Sequence, residues 1–252
     1  MKKIISILLV GLLFVSCTKE VKNNDDSKVS RVKSVTLNQF AVIKTLAEGN
    51  YLSNITYKEI KHAGNFGLGT FNYLNGEMVA LNGKFYQAKV DGSVNLVKDS
   101  DCAPFAAVHH FIADQSFKVD NKIINLTELQ NYLGNYLSNN RNIYSFKIHA
   151  EFDSLIVRSV PAQSLPFPPL TEVINNQTLF HLKNIKGTLV GYWFPQYLSN
   201  VNAPGFHFHF ISDDEKHAGH VISCSFSKAD IELDELTKLN LVIPQNEEYQ
   251  SN

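Results

Sequence analysis

The segment Gly205–Ser212 constrains the fold of this chain more than any other, because phenylalanine and histidine alternate along it. Side chains of a β-strand point alternately to opposite faces of the sheet, so the three phenylalanines would share one face while His207 and His209 share the other. The aromatic face can be buried in a core, and two imidazoles then lie together on the opposite face. The sequence therefore predicts a sheet that carries paired histidines on one surface.

A third histidine follows this strand. Residues 213–216 are predicted to form a polar turn, and the apolar run that begins at His220 can return antiparallel to the first strand. This would bring a third imidazole beside His207 and His209, and three neutral imidazoles with an open fourth position are typical of a catalytic zinc site. Two alternatives remain open: His217 in the turn could replace His220, or the histidines could be surface or core residues that bind no metal.

The rest of the body is also predicted to be rich in strands. A glycine-rich segment, 64–83, contains Asn-Gly pairs at 75–76 and 82–83. Such pairs are typical of hairpin turns, because both residues tolerate positive φ. The other predicted elements are helices at 38–48 and 127–137, a strand pair at 146–160 that turns at 153–154, and strands at 187–194, 205–212 and 220–226.

Four prolines between residues 161 and 170 are the best candidate for a boundary within the body. We therefore expect a strand-rich α/β chain of the α+β type, with few helices and with mixed or antiparallel sheets. Its subdomains would be 37–160, with a mixed sheet, and 161–252, with the histidine cluster. A hydrophobic content of 44% is sufficient to form such cores.

The N-terminus differs from the body. Two lysines precede an apolar run, 4–15, that is too short to span a bilayer comfortably, and Ser16 then precedes Cys17. A basic start, a short apolar stretch and a small residue before the cut are typical of a secretory signal peptide. The small residue before a cysteine is similar to the lipobox of bacterial lipoproteins, although Phe14 replaces the usual leucine.

The resemblance to a lipobox implies removal of residues 1–16 and acylation of Cys17. Residues 17–36 mix charges with Asn and Ser and show no sustained period, so they are predicted to be a flexible tether. The expected location is therefore the cell envelope, where an exported lipoprotein would touch the membrane through its lipid anchor only. The alternative is an ordinary signal peptide with an incidental cysteine.

Charge and cysteine content exclude two other classes of protein. Lys and Arg number 23 against 24 Asp and Glu, a net charge of −1, which does not suit a nucleic-acid-binding protein because phosphate contacts require clustered positive charge. Three cysteines are too few for a disulfide scaffold. We expect Cys102 and Cys224 to be buried small hydrophobic residues, although a bond between them is possible.

A metal held by three histidines has two main uses in catalysis. It can activate water for hydrolysis, or act as a Lewis acid on a substrate carbonyl. The His-Glu-x-x-His motif of many metallohydrolases is absent from the sequence. The second use needs acidic and cationic partners, and Glu77 in the glycine-rich segment and Arg158 near the end of a predicted strand can supply them.

Several motifs occur in an order that identifies a family. They are Gly64–Glu77, Gly83–Tyr86, Asp91-Gly92, Pro104-Phe105, Arg158–Pro161, Gly187–Gly191, Phe206–Ser212 and Gly219–Val221. Together they closely resemble the bacterial α-acetolactate decarboxylases, and the match covers roughly residues 38–246.

The resemblance implies conversion of (S)-2-acetolactate to (R)-acetoin and CO2, on a two-domain α/β fold that is often dimeric. It implies a zinc ion on three histidines, which fall on His207, His209 and His220. It further implies an active-site arginine at Arg158, and a threonine and a glutamate of the glycine-rich signature. These last two residues fall on Thr70 and Glu77. Loss of CO2 through a metal-stabilised enediolate suits these residue types.

One departure from the family concerns the C-terminus. Family members continue into a tail whose glutamate reaches the zinc site, whereas this sequence ends at Asn252, and Glu247 and Glu248 lie too early to match. We therefore expect Glu77 to transfer protons alone, or activity or stereochemistry to be altered. Two alternatives to acetolactate decarboxylation follow: a metal-dependent enzyme for a related 2-hydroxy-3-oxo acid, or a non-catalytic surface lipoprotein with the same fold.

Overall fold

The computed structural model describes residues 35–245, which form two β-sheets and four short α-helices. The predicted signal peptide, Cys17, nearly all of the predicted tether, and Glu247 and Glu248 lie outside the described residues. Within the described part, every helix is too short or too polar to cross a membrane.

The described residues contain twelve strands and four α-helices. The strands are β1 (Thr36–Phe40), β2 (Phe66–Thr70), β3 (Glu77–Leu81), β4 (Lys84–Ala88), β5 (Val94–Leu96), β6 (Ala106–His109), β7 (Gln115–Val119), β8 (Ile143–Ser159), β9 (Thr178–Phe194), β10 (Gly205–Ser212), β11 (Ala218–Leu236) and β12 (Lys238–Val242). The helices are α1 (Ile43–Ala47), α2 (Tyr57–Ala63), α3 (Leu126–Gly134) and α4 (Leu170–Ile174).

A seven-stranded sheet has the order β12-β1-β6-β2-β3-β4-β5, and it is mixed because β1 and β12 are parallel. The close approach of β2 to β6 at its centre requires glycine, because a Cβ on Gly67 would lie 2.1 Å from the carbonyl oxygen of Ala107 in β6. The hairpin between β3 and β4 turns at Asn82 and Gly83, which have φ of 53° and 82°. The turn predicted from this Asn-Gly pair is confirmed.

A five-stranded antiparallel sheet has the order β10-β9-β8-β11-β7, and β10 also pairs with the start of β11. This extra pairing joins four of its strands in a closed ring. Phe208 and Phe210 are buried on one face of the sheet and contact Phe146 and Phe152. The predicted strand-rich fold with two sheets and few helices is confirmed.

The two sheets pack against each other through a shared apolar core. Leu68 and Phe105 from the seven-stranded side meet Val190 and Tyr192 from the five-stranded sheet in this core. Helix α2 covers the opposite face of the seven-stranded sheet, where Ile60 is fully buried. The histidines of β10, on the face opposite Phe208 and Phe210, therefore point toward the seven-stranded sheet.

The helix predicted over 38–48 is wrong in its first half. Residues through Phe40 form β1, which pairs with β6 on one side and β12 on the other. These long-range pairings override the local helical pattern, and Ala41, with a φ of 63°, ends the strand. The second predicted helix is confirmed as α3, although it ends at Gly134 rather than at residue 137. Its N-cap is Asn125, whose side chain accepts a hydrogen bond from the amide of Glu128 at 2.8 Å.

The predicted turn at 153–154 is also wrong, since β8 runs unbroken for 17 residues. The irregularity near these residues is a set of register shifts in the pairing between β8 and β11. The proline-rich segment that begins at Pro161 was the predicted boundary between two subdomains. Proline lacks an amide hydrogen, so strand pairing is interrupted in this segment. The structure instead places strands from both sides of Pro161 in one sheet, since β8 pairs with β9 along its length.

Both cysteines of the described residues are free thiols. Cys224 is buried as expected, and its burial raises the pKa of the thiol to about 12. Cys102 is half-buried rather than buried.

Candidate active site

The three predicted metal ligands lie close together at the open end of the β10–β11 hairpin, away from its turn. His209 and His220 are directly opposite in the antiparallel register. The Nδ1 atom of His220 lies 3.0 Å from Nε2 of His207 and 3.3 Å from Nε2 of His209. His217, the alternative ligand, lies in the exposed turn and outside this cluster.

The donor set suits a tetrahedral metal ion. Ligand nitrogens at about 2.0–2.1 Å from zinc lie about 3.3 Å apart, which is close to the spacing between these rings. Nδ1 of His209 donates a hydrogen bond to the carbonyl oxygen of Met78 at 2.7 Å, and this leaves a lone pair on Nε2. Burial lowers the pKa of all three imidazoles, to about 3 for His209, so they are neutral at pH 7. Neutral imidazole is the form that binds metals.

Glu77 approaches the cluster from the other sheet. It is the first residue of β3, its side chain is 9% exposed, and its Oε2 lies 3.6 Å from Nε2 of His209. Burial raises the pKa of this carboxyl above its usual value, and the positive charge of Arg158 opposes that shift. A raised pKa makes a buried carboxyl easier to protonate, which suits a group that transfers a proton.

Arg158 lies in the same row as two of the histidines. It is opposite His220 in the β8–β11 register, so Arg158, His220 and His209 occupy three adjacent strands. Its Nη1 donates to Oε1 of Glu77 at 3.1 Å, and its side chain is only 11% exposed. The planar guanidinium keeps further N–H groups for a second carboxylate.

Thr70 lies opposite Glu77 in the β2–β3 register and lines the same cavity. Its hydroxyl donates to the carbonyl oxygen of Gly76 at 2.7 Å. The loop closed by this bond contains Tyr73 and Leu74, whose φ angles of 64° and 54° are unusual for residues other than glycine. Thr70 therefore fixes the loop that leads into Glu77.

We expect Gly76→Ala to destabilise the protein by more than about 2 kcal/mol, whereas Gly83→Ala should cost about 1 kcal/mol. Both glycines flank β3 and have similar φ, 89° and 82°. A Cβ at residue 76 would lie 2.3 Å from the carbonyl oxygen of Ala88, while a Cβ at residue 83 meets nothing within 4 Å. Urea denaturation measures both costs, and equal values would contradict the proposed clash.

These side chains line one small cavity of about 70 Å³. Its polar wall consists of Thr70, Glu77, Arg158, His207, His209 and His220. Its apolar wall consists of Ile43, Leu46, Leu68, Leu74, Phe105, Val160 and Leu170. The apolar wall was not predicted from the sequence, because its residues come from separate segments between residues 43 and 170 and form no motif.

A second buried histidine lies away from this cavity. Nδ1 of His109 contacts the hydroxyl of Tyr192 at 2.9 Å, and Nε2 contacts Oγ of Ser145 at 3.0 Å and Oδ2 of Asp234 at 3.4 Å. All four side chains are fully buried between the sheets. This polar network ties β6 to three strands of the other sheet, and it has no access for a substrate.

Comparisons with known proteins find related sequences over most of the chain. The profile of the family described as "Alpha-acetolactate decarboxylase" matches residues 37–252. The chain is 36% identical over 221 residues to the alpha-acetolactate decarboxylase of Methanosarcina mazei, covering 88% of this chain and 76% of that one. It is 38% identical over 208 residues to that of Methylococcus capsulatus, covering 82% and 79%.

The fold is likewise similar to a solved structure. The crystal structure of alpha-acetolactate decarboxylase from Bacillus subtilis strain 168 superposes with a TM-score of 0.83 at 28% identity. The superposition covers 86% of this chain and 92% of that one. The similarity therefore extends over both sheets rather than over a single motif.

Proposed function

From the premise that this chain belongs to the alpha-acetolactate decarboxylase family, we propose that it converts (S)-2-acetolactate to (R)-acetoin and CO2 with zinc on His207, His209 and His220. Decarboxylation of acetolactate is the activity that the family and the fold support. The observation that carries the finer proposal is the convergence of these histidines with Glu77 and Arg158 on one buried cavity.

The reaction breaks the bond between C2 and the carboxylate of the substrate. The electron pair of that bond moves toward the neighbouring ketone, CO2 leaves, and an enediolate remains. One proton added to carbon then gives acetoin, so that one acetolactate anion and one proton yield one acetoin and one CO2. The metal, when bound, supplies a Lewis acid that offsets negative charge on the substrate oxygens.

Arg158 binds the carboxylate that will leave. Its side chain is held by Glu77 through one N–H, and its remaining donors can form paired hydrogen bonds with a second carboxylate. Because the side chains of Arg158 and Glu77 are largely buried, such charge pairing is stronger here than it would be in water. Arg158 therefore orients the bond that breaks.

Glu77 transfers the proton. Arg158 holds its Oε1, so Oε2 is the atom that faces the histidine cluster and delivers the proton to carbon. Because the carboxyl approaches from β3 alone, protonation occurs on one face of the enediolate, and this determines the handedness of acetoin. Thr70 keeps the loop before Glu77 in place through Gly76.

The purified protein, supplied with zinc and racemic acetolactate, tests this proposal. We expect one zinc per chain, release of CO2 and a single acetoin enantiomer, measured by chiral gas chromatography. Absence of product above the spontaneous rate, with zinc bound, would overturn the proposed activity. If the protein acted only on a related 2-hydroxy-3-oxo acid, the proposed substrate would be wrong, while the proposed role of the metal would stand.

We also propose that the protein is exported and anchored to the membrane through a lipid on Cys17, on the basis of its N-terminal sequence. Cys17→Ser should move the protein from the membrane fraction to the soluble fraction of a bacterial host and abolish labelling by a radioactive fatty acid. Cys102→Ser is the matched control and should leave both unchanged. Retention of the label in Cys17→Ser would contradict the anchor. The homodimer implied by the family resemblance stays a prediction.

A further inference from the structure

The apolar wall of the cavity has no part in the chemistry proposed above. The polar groups of acetolactate are a carboxylate, a hydroxyl and a ketone, and the arginine, the glutamate and the metal site account for them. Two methyl groups remain, and they require apolar contacts to be desolvated. The residues that supply these contacts determine which alkyl groups the enzyme accepts.

Two short helices form the outer part of this wall. Ile43 and Leu46 belong to α1, Leu170 is the first residue of α4, and the two helices contact each other. Leu46 is buried, whereas Ile43 and Leu170 are half-buried. Ile43 and Leu170 therefore line the cavity and are also partly exposed to solvent.

The wall is held in place by backbone contacts at both helices. The amide of Ile43 donates to the carbonyl oxygen of Val201 at 2.9 Å. The hydroxyl of Tyr51 donates to the carbonyl oxygen of Pro168 at 2.9 Å, just before α4. Because of these hydrogen bonds, the two helices cannot easily shift to make room for a longer substituent.

We propose that Ile43, Leu46 and Leu170 contact the alkyl substituents of the substrate and limit their length, so that they determine specificity among 2-alkyl-2-hydroxy-3-oxo acids. This inference rests on the proposed function. These three side chains form one side of a small cavity, so truncating one of them would lengthen the space that an alkyl group can occupy. One methylene more or less in an apolar pocket typically changes kcat/KM by about 10- to 200-fold.

Leu170→Ala tests the inference without opening the buried core. The measurement is kcat/KM for acetolactate and for its analogues with ethyl or propyl in place of the methyl group on C2. We expect the ratio of the propyl analogue to acetolactate to rise about tenfold or more in Leu170→Ala and to fall in Leu170→Phe, with unchanged zinc content. Should Leu170→Ala fold poorly, Leu170→Val should shift the ratio in the same direction by a smaller factor.

Leu198→Ala is the matched control. Leu198 is also half-buried and packs at the margin of the same apolar core, but it does not line the cavity. Its truncation should leave the ratio unchanged. An unchanged ratio in an active Leu170→Ala enzyme, or an equal rise in Leu198→Ala, would overturn the inference alone. A wild-type protein inactive on all these substrates would overturn the proposed function as well.

Discussion

Glu77→Gln is expected to lower kcat for acetolactate about a hundredfold to ten-thousandfold, because an amide cannot carry a proton to the substrate. The substitution keeps the shape of the side chain, and its amide oxygen can still accept the hydrogen bond from Arg158. Zinc content should therefore remain at one per chain. Any residual acetoin should be less pure in handedness, because solvent can protonate the enediolate from either face.

Glu232→Gln is the control for this prediction. Glu232 is a partly buried carboxylate in a 2.8 Å ion pair with Lys147, and it lies outside the cavity. Its replacement removes one negative charge without touching the reaction, so kcat and product handedness should not change. A kcat for Glu77→Gln within about threefold of the wild-type value would assign the proton transfer to another group.

The histidine cluster could be predicted from the sequence because it depends only on residues that are close together along the chain. Alternation in Gly205–Ser212 determines which side chains share a face, and a short hairpin brings His220 back beside His209. Neither step depends on distant residues. The turn at Asn82 and Gly83 was predictable for the same reason, since two adjacent residues determine its geometry.

Features that depend on distant pairings could not be predicted in this way. The N-terminal strand β1 was expected to be helical, because nothing local indicates that β6 and β12 will flank it. Glu77 and Arg158 are 81 residues apart along the chain. Their residue types made them candidates, but only the family resemblance gave a reason to place both in one site. The apolar wall was missed altogether, since Ile43 and Leu170 come together only after both sheets have packed.

The candidate site is divided between the two sheets. Thr70 and Glu77 come from the seven-stranded sheet, while the histidines and Arg158 come from the five-stranded sheet. Their alignment therefore depends on the packing between sheets, which the buried contacts of His109 with Tyr192 and Ser145 help to fix. The interface between the sheets therefore determines the distance between Glu77 and the three histidines.

His207→Ala should abolish stable zinc binding and lower kcat/KM by about a thousandfold or more, since metal-derived charge stabilisation contributes several kcal/mol to such reactions. His207 is half-buried, so its loss should be tolerated by the fold, which circular dichroism can verify. His217→Ala is the matched control, because it removes an exposed histidine from the adjacent turn. Mass spectrometry of dialysed protein should find one zinc per chain in the wild type and in His217→Ala, and almost none in His207→Ala.

The two variants also decide between the alternative ligand sets. Loss of zinc in His217→Ala would place the metal nearer the turn, away from Glu77, and the proposed proton transfer would then lack its geometry. Full activity in His207→Ala would show that the reaction does not need the three-histidine cluster. Because His209 donates to Met78 while its other nitrogen faces His220, we expect the cluster to bind the metal as a unit, with each ring necessary.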